Sequence, residues 1–260
     1  MSPTAHEKIE AMQLADRIIS ARQKMPRVVD HLLYLLELHE NNALVLYSST
    51  LSSQIPQSHA ANAFLVFQRG MHQFEIVRLC ALWDGADLDK ENIPTVIELI
   101  DHPEIIETLA QEIAAFWGGV EGHLLNPSAD SNLAEIEIEA LRANEKQFGQ
   151  NQADKARNSL QKAIAESKEI LSSPKYASIK NIRDKQLAHS LSETRREKKS
   201  GPVAPMKYGD ERDLLEKSLS IVESLYCWVN GTGISFANSR EIDQRNAKAL
   251  WEACSFDIKY

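Results

Sequence analysis

Apolar residues recur at helical spacing along almost the whole chain, and no segment shows the sustained two-residue alternation of a strand. The segment from Leu32 to Leu38 is apolar on nearly every side, which predicts a helix at the centre of the fold. The segment 130–173 carries only a thin apolar stripe, so we expect its helix to pack along one edge and to project from the body. The predicted helices cover about 3–22, 26–54, 58–83, 93–101, 103–125, 130–173, 210–229 and 239–254.

Proline and glycine residues predict where these helices begin and end. Pro26 suits the first turn of a helix, and Gly149 is a candidate break within the segment 130–173. Ser173 and Pro174 predict the start of a further helix, which a loop rich in glycine and proline follows at 200–209. The order of elements therefore predicts an all-α, up-and-down helical bundle with long, partly protruding helices.

Composition and charge exclude several classes of protein. The formal net charge of -8 argues against a protein that binds nucleic acid over its whole surface. The three cysteines lie far apart without a CxxC pair, and the histidines show no HExxH spacing, so we expect neither disulfides nor a metal or other cofactor. No apolar leader is present and the densest apolar stretch is too short to span a bilayer, which predicts a cytoplasmic protein without membrane contact.

One segment combines residue types that can act on a phosphodiester. Within Ile182 to Ser190, Arg183 is followed by Asp184 and, six positions after the arginine, by His189. An arginine offers a planar fork of donors to phosphate oxygens, and a histidine imidazole exchanges protons near neutral pH. A chain of this composition holds roughly one arginine–histidine pair at such a spacing by chance, so the flanking residues matter.

The flanking residues resemble a known family. The string Arg-Asp-Lys-x-x-Ala-His-Ser, which begins at Arg183, resembles the Arg-x4-6-His motif of the HEPN superfamily, and in particular its abortive-infection U-type (AbiU-like) branch. The segment from Ile76 to Asp84 resembles the Arg-Leu-x-x-Leu-x-Asp stretch of that branch. The resemblance covers about residues 60–200. We expect three parts: N-terminal helices at 1–55 that pack on the bundle, a HEPN-like helical domain at 56–230 and a C-terminal helix at 231–260.

The resemblance also implies a function. HEPN proteins are often metal-independent endoribonucleases of toxin–antitoxin or antiphage abortive-infection systems, and many act as homodimers that pair through the motif helix. By this resemblance Arg183 and His189 are the catalytic residues, with Asp184 orienting one of them or pairing with Lys180. Some HEPN toxins carry a tyrosine two residues after the histidine, which a partner nucleotidyltransferase modifies. Leu191 stands at that position here, so an antitoxin of this chain is expected to act by another route.

The charge around the motif is consistent with an RNA substrate. Residues 175–199 contain eight basic and three acidic residues, so this segment carries +5 and the remainder of the chain -13. A basic stripe on an acidic body can hold RNA locally. The candidate RNA-binding residues are Lys180, Lys185, Arg195 and Arg196.

Helical geometry gives a further expectation. If one helix continues through the motif, Arg183 and His189 lie about 120° apart around its axis, on the two borders of an apolar seam. Two other readings stay open at this point. A non-catalytic HEPN-type module could hold RNA, a nucleotide or a protein through the same surface. An unrelated helical adaptor could carry the motif by chance, with both residues far from any cleft.

Overall fold

The computed structural model describes residues 4–55, 57–118 and 131–258. The chain is all-α, and within these ranges it forms no strand. Positions 3, 119–125 and 130 of the predicted helices lie outside the described residues. The helices are α1 Ala5–Glu10, α2 Leu14–Tyr47, α3 Ser49–Gln54, α4 His59–Leu82, α5 Ile93–Ile100, α6 Pro103–Gly118, α7 Ser131–Ser172, α8 Pro174–Ile182, α9 Arg195–Ser200, α10 Asp210–Asn230 and α11 Ala237–Trp251, with a π-helical turn at Arg183–Leu187.

The prediction of a helix start at Pro26 was wrong, because α2 runs through this proline. A proline inside a helix has no backbone N–H and therefore leaves the carbonyl four residues earlier without its helical partner. Here that carbonyl belongs to Arg22, and the Asn230 side-chain amide donates to it at 3.1 Å. The bond from the end of α10 replaces the missing helical bond, so α2 continues as a single helix.

Helix α2 lies at the centre of the bundle, as its apolar sequence predicts. It packs against α4, α5, α10 and α11, and Leu32, Leu35 and Leu36 are fully buried. The main cluster of buried apolar side chains extends along the chain from Ile9 to Phe236. One core therefore draws on eight of the eleven described helices, all except α3, α9 and α11. None of these helices combines the length and the apolar character that crossing a bilayer requires.

Helix α4 buries a different face from the one its largest apolar residues indicate. Ile76, Leu79 and Cys80 are buried in the core, whereas Phe67 and Phe74 are exposed by 45% and 44%. The buried face turns toward α2 and α10, and it leads directly to Trp83 and Asp84 at the end of the helix. This arrangement places the C-terminal end of α4 next to α8.

Helices α6 and α7 form a close pair, and Gly149 lies at their contact. The interpretation of Gly149 as a helix break was wrong, because α7 is continuous through it. A methyl group on Gly149 would lie 2.5 Å from the carbonyl oxygen of Ala114 and 2.8 Å from the backbone nitrogen of Gly118. The glycine is therefore needed for the approach of two backbones.

We expect Gly149→Ala to destabilise the protein by about 1–3 kcal/mol, since the helices must separate to admit the methyl group. This reverses the usual gain of about 0.5–1 kcal/mol when alanine replaces glycine inside a helix. Gly70→Ala in α4 is the matched control, because a methyl group there meets no atom within 4 Å. Urea unfolding measures both variants. A Gly149→Ala protein as stable as Gly70→Ala would contradict the close approach.

Candidate functional site

Helix α8 leads into the motif and is fixed at its first turn. Its cap is Ser173, as the sequence predicts, and the Ser173 hydroxyl accepts a hydrogen bond from the Tyr176 backbone N–H at 3.1 Å. The phenolic hydroxyl of Tyr176 is buried and donates to the carbonyl oxygen of Trp83 at 2.6 Å. The first bond caps α8, and the second holds α8 against the end of α4. The segments that resemble the family in sequence therefore lie together in space.

The expectation of one helix through the motif was wrong. Helix α8 ends at Ile182 and widens into the π-helical turn Arg183–Leu187, where the Ala188 N–H donates to the Arg183 carbonyl at 2.8 Å. The chain then leaves the helical path, and the Leu191 N–H donates to the Lys185 carbonyl, six residues earlier, at 3.0 Å. His189 therefore lies in a loop, and the 120° relation does not apply. Short π-helical segments are frequent at functional sites.

Arg183 is largely buried between two carboxylates. Its side chain is 20% exposed, with Nε 2.7 Å from Asp184 Oδ1 and Nη2 3.7 Å from Asp84 Oδ1. The Nε–H has no hydrogen-bond partner despite the short distance, so the contact with Asp184 is an ion pair without the alignment of a hydrogen bond. The separation from Asp84 is too long for a hydrogen bond, and Nη2 thus keeps donors for another acceptor.

Three basic side chains lie around the Asp84 carboxylate at the end of α4. Its carboxylate lies 3.0 Å from Lys90 Nζ, 3.4 Å from Lys180 Nζ and 3.7 Å from Arg183 Nη2. Burial raises the pKa of the Asp84 carboxyl, but the Lys90 hydrogen bond and the charge of Lys180 outweigh it, and the pKa is lowered. Asp84 therefore stays ionised and anchors Arg183 and Lys180.

His189 is exposed and faces an open pocket of about 740 Å³. Its side chain forms no hydrogen bond or ion pair within the described part of the chain, so the imidazole is available to a ligand. The pocket brings together five of the seven predicted site residues, whereas Arg183 and Lys185 are not among its lining residues. The charged lining residues are Lys180, Arg195, Arg196 and Lys198, opposed by Asp184 and Glu193.

A carboxylate clamp closes the loop that carries His189. We use this name for Asn181, Lys185, Thr194 and Glu197. Glu197 Oε2 accepts from the Thr194 backbone N–H at 2.8 Å, and Glu197 Oε1 accepts from Lys185 Nζ at 3.1 Å and Asn181 Nδ2 at 3.2 Å. The Thr194 hydroxyl, which is buried, donates to Asn181 Oδ1 at 2.8 Å. Both ends of the loop are thus tied to α8 and the π-helical turn.

The clamp depends on an ionised carboxylate. The hydrogen bond from the Thr194 backbone amide, together with those from Lys185 and Asn181, lowers the pKa of the Glu197 carboxyl to about 2. Lys185, predicted to bind RNA, is engaged in this clamp. Asn181, Thr194 and Glu197 were not predicted as site residues. The Thr-x-x-Glu spacing is nevertheless the signature of a capping box and predicts the start of α9.

The arrangement can bind an anion and transfer a proton. Lysine and arginine side chains around the pocket can hold phosphate oxygens, and an exposed imidazole can donate or accept a proton near neutral pH. Over the described ranges, no three His, Cys, Asp or Glu side chains are grouped as ligands for a metal ion. The three cysteines are free, and burial raises the pKa of Cys80 to about 12, so this thiol is not poised as a nucleophile.

Comparison with known protein families identifies a relationship. A family model described as AbiU2, of the HEPN type, matches residues 13–250. The matched range begins just before α2 and ends in the last turn of α11, and it includes both the end of α4 and the motif. No curated protein matches the chain, and no solved structure matches it.

Proposed function

Because the chain belongs to the AbiU2 family of HEPN proteins, we propose that it is a metal-independent endoribonuclease of a toxin–antitoxin or antiphage abortive-infection system. The observation that carries the proposal is the pocket of His189, where an unpartnered imidazole faces four basic side chains. A cationic pocket in a chain of net charge -8 favours a polyanionic ligand at this place.

The proposed reaction uses the 2′-hydroxyl of RNA as nucleophile. The bond between O2′ and phosphorus forms while the bond between phosphorus and O5′ breaks, which gives a 2′,3′-cyclic phosphate and a 5′-hydroxyl end. A base takes the 2′-hydroxyl proton and an acid protonates the leaving O5′, and His189 can perform either step. Lys180, Arg195 and Arg196 bind the phosphate oxygens, whose negative charge increases in the transition state.

Arg183 completes the proposed site from the side of the π-helical turn. Its Nη2 lies 3.7 Å from Asp84, so a phosphate oxygen can bind this group while the contact with Asp184 is kept. Asp184 therefore acts as the orienting partner of Arg183. A second copy of the chain, paired near the motif, would supply a second histidine, so that one imidazole serves as base and the other as acid. The proposal includes a cytoplasmic location and an antitoxin as partner.

A second candidate function is a non-catalytic module that holds RNA, a nucleotide or a protein. The position of Arg183 favours it, because this residue is paired with two carboxylates and does not line the pocket. In that case the basic pocket binds RNA through its phosphates, and His189 takes no part in chemistry. The two candidates differ in whether bound RNA is cut.

Purified wild-type protein and Arg183→Ala, incubated with single-stranded RNA in EDTA, test the proposal. We expect the wild type to release fragments with 2′,3′-cyclic phosphate ends, and we expect Arg183→Ala to cut at least about 100-fold more slowly, since it lacks one charge-stabilising donor. Induced expression in bacteria should arrest growth for the wild type alone at equal protein levels. Binding of RNA without cleavage by the wild type would instead support the non-catalytic module.

A further inference from the structure

A second groove lies on the other side of the π-helical turn. It has a volume of about 400 Å³, and its walls come from α4, from the turn and from the segment before α10. Ile182, Gln186 and Leu187 face this groove, whereas Asp184 and His189 line the pocket described above. The same turn therefore separates two cavities and contributes residues to both.

The charged residues of the groove are basic. Arg69 and Lys207 are exposed, His72 also lines the groove, and no carboxylate is among the lining residues. Neither Arg69 nor Lys207 pairs its side chain with another described residue. Since the chain as a whole is acidic, an exclusively basic lining favours an anionic ligand.

The groove also contains side chains that can bind a nucleobase. Tyr208 is 73% exposed, and its ring packs against Tyr47 at 4.7 Å between ring centroids, a contact that fixes the ring beside the groove. Gln73 and Gln186 line the same groove, and their side-chain amides can each donate and accept hydrogen bonds. An aromatic ring, amide groups and cations together match an unpaired base and its phosphate.

Two polar side chains under the groove, His72 and Glu211, lie within ion-pair distance of each other without a hydrogen bond between them. His72 Nε2 lies 3.7 Å from Glu211 Oε1, which is beyond hydrogen-bond length, and the Glu211 side chain is 4% exposed. Neither His72 Nε2 nor Glu211 Oε2 has a hydrogen-bond partner. Buried polar atoms are rarely left without a hydrogen bond, and a polar ligand in the groove could supply one to His72 Nε2.

We propose that this groove is a second nucleotide-binding subsite, in which an unpaired base stacks on Tyr208 and its phosphate binds Arg69 and Lys207. The nucleotide belongs to the RNA strand that occupies the His189 pocket, and the strand crosses the π-helical turn between the two cavities. The inference rests on the proposed function in one respect, namely that the bound polymer is RNA. A free mononucleotide carries the same base and phosphate as a nucleotide of the RNA strand, and the test distinguishes these two ligands.

The test measures binding apart from cleavage. Full-length protein with His189→Ala is titrated into a labelled single-stranded oligonucleotide of about ten nucleotides at fixed salt, and fluorescence anisotropy gives Kd. Adding Tyr208→Ala should raise Kd about tenfold, while Tyr208→Phe should leave it within about twofold, because the stacking face is kept. Tyr34→Ala is the control, since Tyr34 is also an exposed tyrosine, at 43%, and lines neither cavity. Lys207→Ala should reduce the salt dependence of Kd.

The outcomes separate this inference from the proposed function. If the wild type fails to cut RNA but its RNA affinity depends on Tyr208, the subsite stands and the nuclease fails. If the wild type cuts RNA and Tyr208→Ala binds it as tightly as the parent, the subsite is overturned and the nuclease stands. Adenosine monophosphate is the probe for a free mononucleotide as the ligand of the groove. If Tyr208→Ala weakens the binding of this mononucleotide but not the binding of the oligonucleotide, the nucleotide in the groove does not belong to the RNA strand and the proposal is overturned.

Discussion

Replacing His189 with alanine is expected to lower the rate of RNA cleavage about 10²–10⁴-fold while leaving the fold intact, if this imidazole transfers a proton in the reaction. The fold should survive because His189 lies in a loop, is exposed, and forms no side-chain hydrogen bond or ion pair over the described ranges. Removal of an exposed side chain without such contacts changes the free energy of unfolding by about 0.5 kcal/mol or less.

Single-turnover cleavage of a labelled RNA, measured for wild type and His189→Ala, checks this expectation. His59→Ala is the matched control, because His59 is also exposed and lies at the start of α4, away from the His189 pocket. We expect the control to cut RNA at the wild-type rate, and equal melting temperatures for all three proteins. Cleavage by His189→Ala at the wild-type rate would exclude the assigned chemistry even if the protein proves to be a nuclease.

The helical class and the family could be predicted from the sequence because both depend on local patterns. The period of apolar residues predicts helices, and two short strings, around Asp84 and around His189, carry the resemblance. The packing of α7 was harder to predict, since its buried face consists largely of small residues such as Gly149, Ala153 and Ala156. A search for large apolar residues finds Leu160 and Ile164, which are buried, but it also selects Phe148, which is 46% exposed.

The local geometry of the site could not be predicted in the same way. A helix and a π-helical turn have nearly the same residue preferences, so the sequence around Arg183 does not show where the chain leaves the helix. The position of His189 depends on the clamp, whose members Asn181 and Glu197 are sixteen residues apart. The sequence predicted five lining residues of the His189 pocket, but it did not show that Arg183 would pair with Asp84 and Asp184 and lie outside the lining of that pocket.

Trp83→Ala is expected to have the largest effect on stability, a loss of about 3–5 kcal/mol. Trp83 is fully buried at the end of α4, and its indole Nε1–H donates to the Ser218 hydroxyl of α10 at 2.7 Å. Its backbone carbonyl accepts the hydrogen bond from Tyr176 in α8. Alanine at this position removes the indole from the contact of three helices and leaves a large cavity beside Asp84.

Equilibrium unfolding in urea measures this loss, and two comparison variants identify its origin. Ser218→Ala leaves the indole N–H without its acceptor and should cost about 1–3 kcal/mol. Trp117→Ala should cost clearly less than Trp83→Ala, because Trp117 is 42% exposed in α6. Since Asp84 follows Trp83 directly and holds Arg183, we expect folded Trp83→Ala to lose more RNA cleavage than its unfolded fraction explains. If activity falls only in proportion to the folded fraction, the core does not set the position of Arg183, and the carboxylates of Asp84 and Asp184 suffice to hold it.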